Sequence, residues 1–261
     1  MNIQHIVNKL KRFSNFSNVD YAIVVGSGLM DSIPELQNKK IISYKSLKMP
    51  TSKVKGHSGN FVFGTLFNKN VVLVSRLHYY ESGSMQNVLL PFKILSQLAT
   101  KNIILLTSCG AINESFNVGD VVLINDHINF TGCNPLIGIS PLKFISMDNS
   151  YDKQFLQKLE DIAKKHNMSV KKGVHAQMLG PSYETMAEVN MLKKIGADTV
   201  SMSTVLDCII CNYYKIKVIG IASVVNVFNS NANNLTHEEV LKNAKISCDK
   251  IKVLLKDLMQ E

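Results

Sequence analysis

The sequence predicts an α/β fold, a single domain with helices packed on a central β-sheet. Three observations predict it. Short β-rich apolar runs alternate with stretches of helical periodicity along the chain. The 261 residues are 46% hydrophobic without a long biased segment, which supports a sizeable buried core. No internal repeat or linker interrupts them, so residues 1–261 read as one domain.

The elements follow in order. Ile3, Ile6, Val7, Leu10 and Phe13 recur at helical spacing among polar residues, so residues 1–13 read as a surface helix, not a signal peptide. Strands are expected at 21–25, 61–66 and 71–74, then a helix at 85–99 and strands at 103–106 and 121–124. Residues 127–150, punctuated by Gly, Pro, Asn and Ser, form a long irregular loop of the kind that carries function or packs on a neighbour. A helix at 153–166, a strand at 174–178, a helix at 185–195, a strand at 199–202, a helix at 204–214 and a strand at 218–223 come next. The last element, 236–259, is one helix with Val240, Ala244, Ser247, Ile251, Leu254 and Leu258 on its buried stripe. Thr185–Glu188 and Thr236–Glu239 have capping-box spacing, and Thr204–Asp207 is a weaker version of it.

Lys and Arg number 29 against 20 Asp and Glu, a formal charge of +9. The lysines are scattered, without the aromatic-interleaved clusters of a nucleic-acid groove, which disfavours nucleic-acid binding and leaves an anionic membrane surface or a small anionic substrate. Arginine occurs only at Arg12 and Arg76. Cys109, Cys133, Cys208, Cys211 and Cys248 form an odd set that reads as reduced thiols of a cytoplasmic protein. The Cys208–Cys211 spacing lies in an apolar stretch and reads as buried helix residues, not as a redox or zinc site. No apolar run reaches membrane-spanning length.

Candidate chemistry lies where strands end. Gly26-Ser27-Gly28 follows the first strand and lets amides and a hydroxyl approach an anion; it is neither a dinucleotide fingerprint nor a P-loop. Alternation beyond strand 71–74 would put Arg76, His78 and Tyr80 on one side, where a guanidinium fork and an imidazole suit phosphate. His57 sits between glycines in a loop. Glu184 precedes a helix, where its carboxylate can accept from ligand N–H groups. Ser203 and the amides after it form a second anion cradle, and the Asn226 amide can both donate to and accept from a heteroaromatic base. His237 lies in the first turn of the last helix.

Taken in order, GSGL at 26–29, GH at 56–57, RLHYYE at 76–81, FNVGD at 116–120, DHIN at 126–129, NPL at 134–136, GPSYET at 180–185, MST at 202–204, Asn226 and HEEV at 237–240 closely resemble the trimeric purine nucleoside phosphorylases acting on inosine and guanosine. The resemblance runs from about residue 20 to the C-terminal helix. It implies a mixed sheet flanked by helices and a homotrimer with sites at subunit boundaries. It implies phosphate binding by Ser27, His57, Arg76, His78, Ser203 and an amide near Ser108. The purine would be held by Glu184 and Asn226 and stacked on Tyr183, the ribose lined by Tyr80 and Met202, and the 5′-hydroxyl met by His237. Phe144 would reach a neighbouring subunit's site. His78, Glu184 and Asn226 would carry the chemistry, phosphorolysis to purine and ribose 1-phosphate, with inorganic phosphate as co-substrate and no metal or organic cofactor.

The chain departs from the family pattern at 106–111, where TNAAGG becomes Leu106-Thr107-Ser108-Cys109-Gly110-Ala111, and at Ser201 and Ser82, where the family has glycine. The pair after MSTV reads Leu206-Asp207, and Val225-Asn226-Val227 replaces a Thr-Asn-Lys run, removing a hydroxyl and an ammonium near the base. Two rivals are a methylthioadenosine phosphorylase, which typically carries Asp where this chain has Asn226 and lacks the histidine matched by His237, and a nucleoside-binding homologue without turnover.

Overall fold

The computed structural model describes residues 2–52, 59–228 and 236–260. Helix α1 (Ile3–Ser14) is capped by the Asn2 side chain, which accepts from the His5 amide, and it buries Ile6, Val7 and Leu10. The strands β1 (Val19–Val25), β2 (Gln37–Ser43), β3 (Asn60–Leu66) and β4 (Lys69–Ser75) precede the single turn α2 (Tyr79–Ser82) and helix α3 (Met85–Gln97). Then come β5 (Thr100–Ala111), β6 (Val121–Asn129), α4 (Lys153–Lys165), β7 (Lys171–Gln177), α5 (Met186–Lys194) and β8 (Thr199–Ser201). The chain ends with α6 (Val205–Tyr213), β9 (Lys217–Val227), α7 (His237–Ala244) and α8 (Cys248–Gln260).

The strands make one mixed sheet flanked by helices, in the order β2-β3-β4-β1-β5-β8-β7-β6-β9. Strand β9 returns to pair with β5 from Asn102↔Lys217 to Ala111↔Val227, so β5, β8, β7, β6 and β9 close on themselves. Strands β1, β4, β3 and β2 continue from β5 as an open wing. Ala22, Ile23 and Val24 of β1 and Ile103, Ile104, Leu105 and Leu106 of β5 are fully buried. Strands covered on both faces need apolar residues at every position, which is why these read as unbroken runs instead of alternation.

Three expectations change. Strand β2 was not anticipated, because it is the sheet edge: its first five residues, with Lys39 and Lys40 among them, are exposed, and charged edges deter pairing with other chains. The helix expected at 236–259 is two, with a 3-10 turn at Lys245–Ser247 between them. There the buried Ser247 hydroxyl donates to the Ala244 carbonyl and meets the Ser223 hydroxyl at 2.6 Å, which tightens the backbone. Thr185 and Thr236 form their capping boxes, but Thr204 does not cap α6. Cys208 and Cys211 are buried on α6 as free thiols, as their apolar surroundings predict.

Candidate active site

The strands β1, β4, β5 and β9 run parallel to one another, so their carboxyl ends open on the same side. Ligand clefts of α/β sheets form at such ends because the chain must leave each strand there and splay apart. A cavity of about 380 Å³ lies at this point, lined among others by Ser27, Arg76, His78, Glu184, Ser203 and Asn226. Tyr80, Ser108, Tyr183, Met202 and His237 line it as well, so sequence-distant candidates converge on one space. His57 lies outside the described residues. Phe144 is not in this cavity; it is 98% exposed on the long loop, and lines a separate cavity of about 550 Å³.

Close backbone approach explains two glycines here. A Cβ at Gly26 would stand 2.8 Å from the Leu106 carbonyl oxygen, so only glycine lets the β1 turn lie against β5. A Cβ at Gly110 would stand 2.4 Å from the Phe228 ring. The register of β5 against β9 slips between Cys109 and Gly110, and the slip sets Asn226 opposite Gly110 at the cavity wall. The Ser108 hydroxyl donates to the Ser27 carbonyl at 2.7 Å and joins the GSG turn to β5.

Arg76 is 2% exposed, and its charge is balanced inside the protein. Its Nε donates to Asp207 Oδ2 at 2.7 Å, one terminal nitrogen donates to Ser203 Oγ at 3.0 Å, and the other to Thr204 Oγ1 at 3.4 Å. The carboxylate therefore fixes the inner edge of the guanidinium fork, and a buried pair this well bonded loses its orientation if either member is cut away. Thr204 adopts φ 90° and ψ −47°, a strained backbone costing about 1–3 kcal/mol that surrounding contacts must hold. Its hydroxyl serves Arg76 instead of the helix, which is why the expected cap is missing.

His78 is the N-cap of α2, so β4 does not continue extended as alternation assumed; a helical turn brings Arg76, His78 and Tyr80 to the cavity instead. Glu81 accepts from His78 Nδ1 at 2.8 Å and from the His78 amide at 3.0 Å. A carboxylate only accepts, so the imidazole carries its proton on Nδ1. The Tyr80 ring stacks on the imidazole at 4.8 Å and 19°, and burial, aided by the Glu81 charge, pushes its phenol up to about 12. Tyr80 is thus a neutral hydroxyl.

Glu184 has the opposite character. Its Oε1 is buried without a hydrogen-bond partner, and burial, with a smaller contribution from the Glu188 charge, raises its pKa above the usual carboxylate value. An unsatisfied buried acceptor is costly unless a ligand donor completes it. Asp207 and Glu81 had no assigned role in the sequence. A signal existed for the first: the lone arginine of a binding motif needs an acid, and Asp207 interrupts the apolar run 205–211. Among the described residues, no cluster of His, Cys, Asp and Glu is arranged to hold a metal ion.

The sheet topology and this convergent polar cleft define a class, and sequence comparison gives it a name: the chain belongs to the phosphorylase superfamily, whose family profile matches residues 20–260. Within it the chain is similar to purine nucleoside phosphorylases. It is 37% identical to purine nucleoside phosphorylase 1 of Bacillus subtilis, with 84% of each chain covered. It is 32% identical to the rat (Rattus norvegicus) purine nucleoside phosphorylase over 92% of this chain and 88% of the relative. Isoform 2 of the Schistosoma mansoni enzyme, solved with cytosine and ribose-1-phosphate, superposes with a TM-score of 0.92 at 34% identity, covering 100% of this chain and 96% of that one.

Proposed function

We propose that the protein is a purine nucleoside phosphorylase, a pentosyltransferase, that cleaves 6-oxopurine nucleosides with inorganic phosphate to give free base and ribose 1-phosphate. The observation that carries this reading is one cleft holding both a braced cationic anion site, Arg76 with His78 and Ser203, and an unsatisfied buried carboxylate, Glu184, beside Asn226. Arg76, His78, Ser203, Ser27 and an amide near Ser108 receive phosphate; His57 is its further ligand. Glu184 accepts the purine N1–H, which inosine and guanosine carry. Asn226 bonds N7 and O6, where negative charge develops as the C1′–N9 bond breaks and its electron pair moves to the base. Phosphate oxygen then forms the new bond to C1′. Fixing both reactants and aiming polar groups at the developing charges supplies the proximity and electrostatic terms of catalysis. Tyr183 stacks on the base, Met202 and Tyr80 line the ribose, and His237 reads the 5′-hydroxyl. The reaction needs no metal or organic cofactor.

The assembly is a homotrimer in which Phe144 completes a neighbour's site. Its support is the exposed apolar surface of the long loop, Ile137 at 77%, Leu142 at 67% and Phe144 at 98%, around an apolar cleft. Asn226 and His237 favour a 6-oxopurine nucleoside with an intact hydroxyl over methylthioadenosine. The test is base release from inosine, guanosine, adenosine and methylthioadenosine, each with and without phosphate. Phosphate-dependent release from inosine and guanosine is expected. Preferred cleavage of methylthioadenosine, or nucleoside binding without release, would overturn the assignment.

A further inference from the structure

The strained turn after β8 is held from beneath by two buried polar residues that do not touch the cavity. His175 and Gln177 are two positions apart on β7 and so lie on the same face of the sheet, in register with Thr199 and Ser201 of the neighbouring β8. Gln177, 4% exposed, spans the turn: its Nε2 donates to the Met202 carbonyl at 3.3 Å and its Oε1 accepts from the Leu206 amide at 3.0 Å. The Leu206 amide lies in the first turn of α6 and has no partner within the helix. With Thr204 turned to Arg76, Gln177 supplies the missing cap from another strand.

His175 is fully buried, with Thr199 Oγ1 at 2.9 Å from Nδ1 and Ser201 Oγ at 2.9 Å from Nε2. The Ser201 hydroxyl donates its one proton to the Ser203 carbonyl at 3.1 Å, and its oxygen accepts from the Ser203 amide at 3.3 Å. The imidazole therefore donates from Nε2 to Ser201, and in its neutral form it accepts from Thr199 Oγ1 at Nδ1. Burial, the leading cause, lowers its pKa to about 3, which keeps that form at every working pH.

We propose that His175 and Gln177 are positioning residues for the phosphate site: through Ser201, Met202 and Leu206 they hold the 202–204 turn so that Ser203 and the Thr204-braced Arg76 face the anion. This rests on the phosphorylase reading of the cleft. The test compares wild type with Gln177→Met, His175→Leu, Ser201→Ala and the partial restoration His175→Gln. The readouts are KM for phosphate, KM for inosine, kcat, thermal midpoint, and titration of inorganic phosphate into the full chain. Phosphate KM should rise on the order of tenfold in the first three variants while inosine KM moves much less, since a displaced turn costs binding where it contacts the ligand. His175→Gln should recover most of the loss. Equal changes in both KM values alongside a lower melting temperature would reduce the brace to plain stability and overturn the proposal. So would an unchanged phosphate KM in Ser201→Ala, the mildest variant and the deciding one should the larger changes fail to fold. Wild-type protein that neither binds phosphate nor releases base would sink the phosphorylase reading as well, whereas an active wild type with indifferent variants sinks the brace alone.

Discussion

Arg76 and Glu184 show two opposite ways of keeping a charge in the same cleft. The guanidinium is matched in advance by Asp207, which orients its donor fork before any ligand arrives. Asp207→Asn keeps the shape but removes the charge, and kcat/KM for phosphate should fall on the order of 100-fold, the lower end of what losing one oriented electrostatic contact costs. Measured separately, KM for inosine should change little. Glu184 waits for its partner, and its raised pKa has two consequences with definite signs. With Glu184 accepting the purine N1–H as proposed, activity on inosine should decline as pH falls through a value above the ordinary glutamate range, and pH profiles of kcat/KM should lose this limb in Glu184→Gln along with most activity. Stability runs the other way. A carboxyl whose folded pKa exceeds its unfolded one favours folding most below the unfolded pKa, and that contribution disappears as pH rises through the folded value. Glu184→Gln should therefore melt no lower than wild type near pH 7, with any gain vanishing in acid. A clear destabilisation at neutral pH would mean the carboxylate has a partner in the free protein.

At the scale of elements, the ends of β5 and β9 act as one device. Their slipped register turns Asn226 to the cavity wall, and Gly110 leaves room for the Phe228 ring beside it. Gly110→Ala forces a methyl into that ring, so Phe228 and the end of β9 must move. Turnover of inosine should drop by at least tenfold while titrated phosphate affinity stays near wild type, because the base side is disturbed and the Arg76 side is not. Most elements were legible: β1, β3, β4 and the central runs of β5 and β9 carry apolar or β-branched stretches, and α1, α4 and α5 carry periodicity or caps. Strand β2 was not, since an exposed edge has little need of apolar residues. The break between α7 and α8 was hidden for another reason: the buried stripe stays in phase across it, and a hydroxyl contact with β9 bends the backbone.

For the whole molecule, closure of five strands into a ring removes sheet edges on the cleft side, leaving β2 as the edge of the open wing. Among the described residues the three most exposed large apolar side chains, Ile137, Leu142 and Phe144, all lie on the long loop. A trimer should be seen by sedimentation or light scattering at micromolar concentration. Phe144→Ala that remains trimeric should raise KM for inosine severalfold and leave phosphate KM unchanged. A trimeric Phe144→Ala with normal inosine KM would show that each subunit completes its own site.

The sequence alone determined the α/β class, the family resemblance and which strand-end side chains would converge on one cleft, because strand-end motifs are local and each keeps its residue types and spacing. Ser27, Arg76, His78, Glu184, Ser203 and Asn226 were all readable this way, and all line one cavity. Only the tertiary structure decided how they are supported. The partnership of Arg76 with Asp207 spans 131 residues of chain, and Gln177 caps Leu206 from 29 residues away. Such contacts have no periodicity and no fixed spacing; a buried polar group takes whichever partner the folded backbone brings within reach, and that depends on where the strands cross.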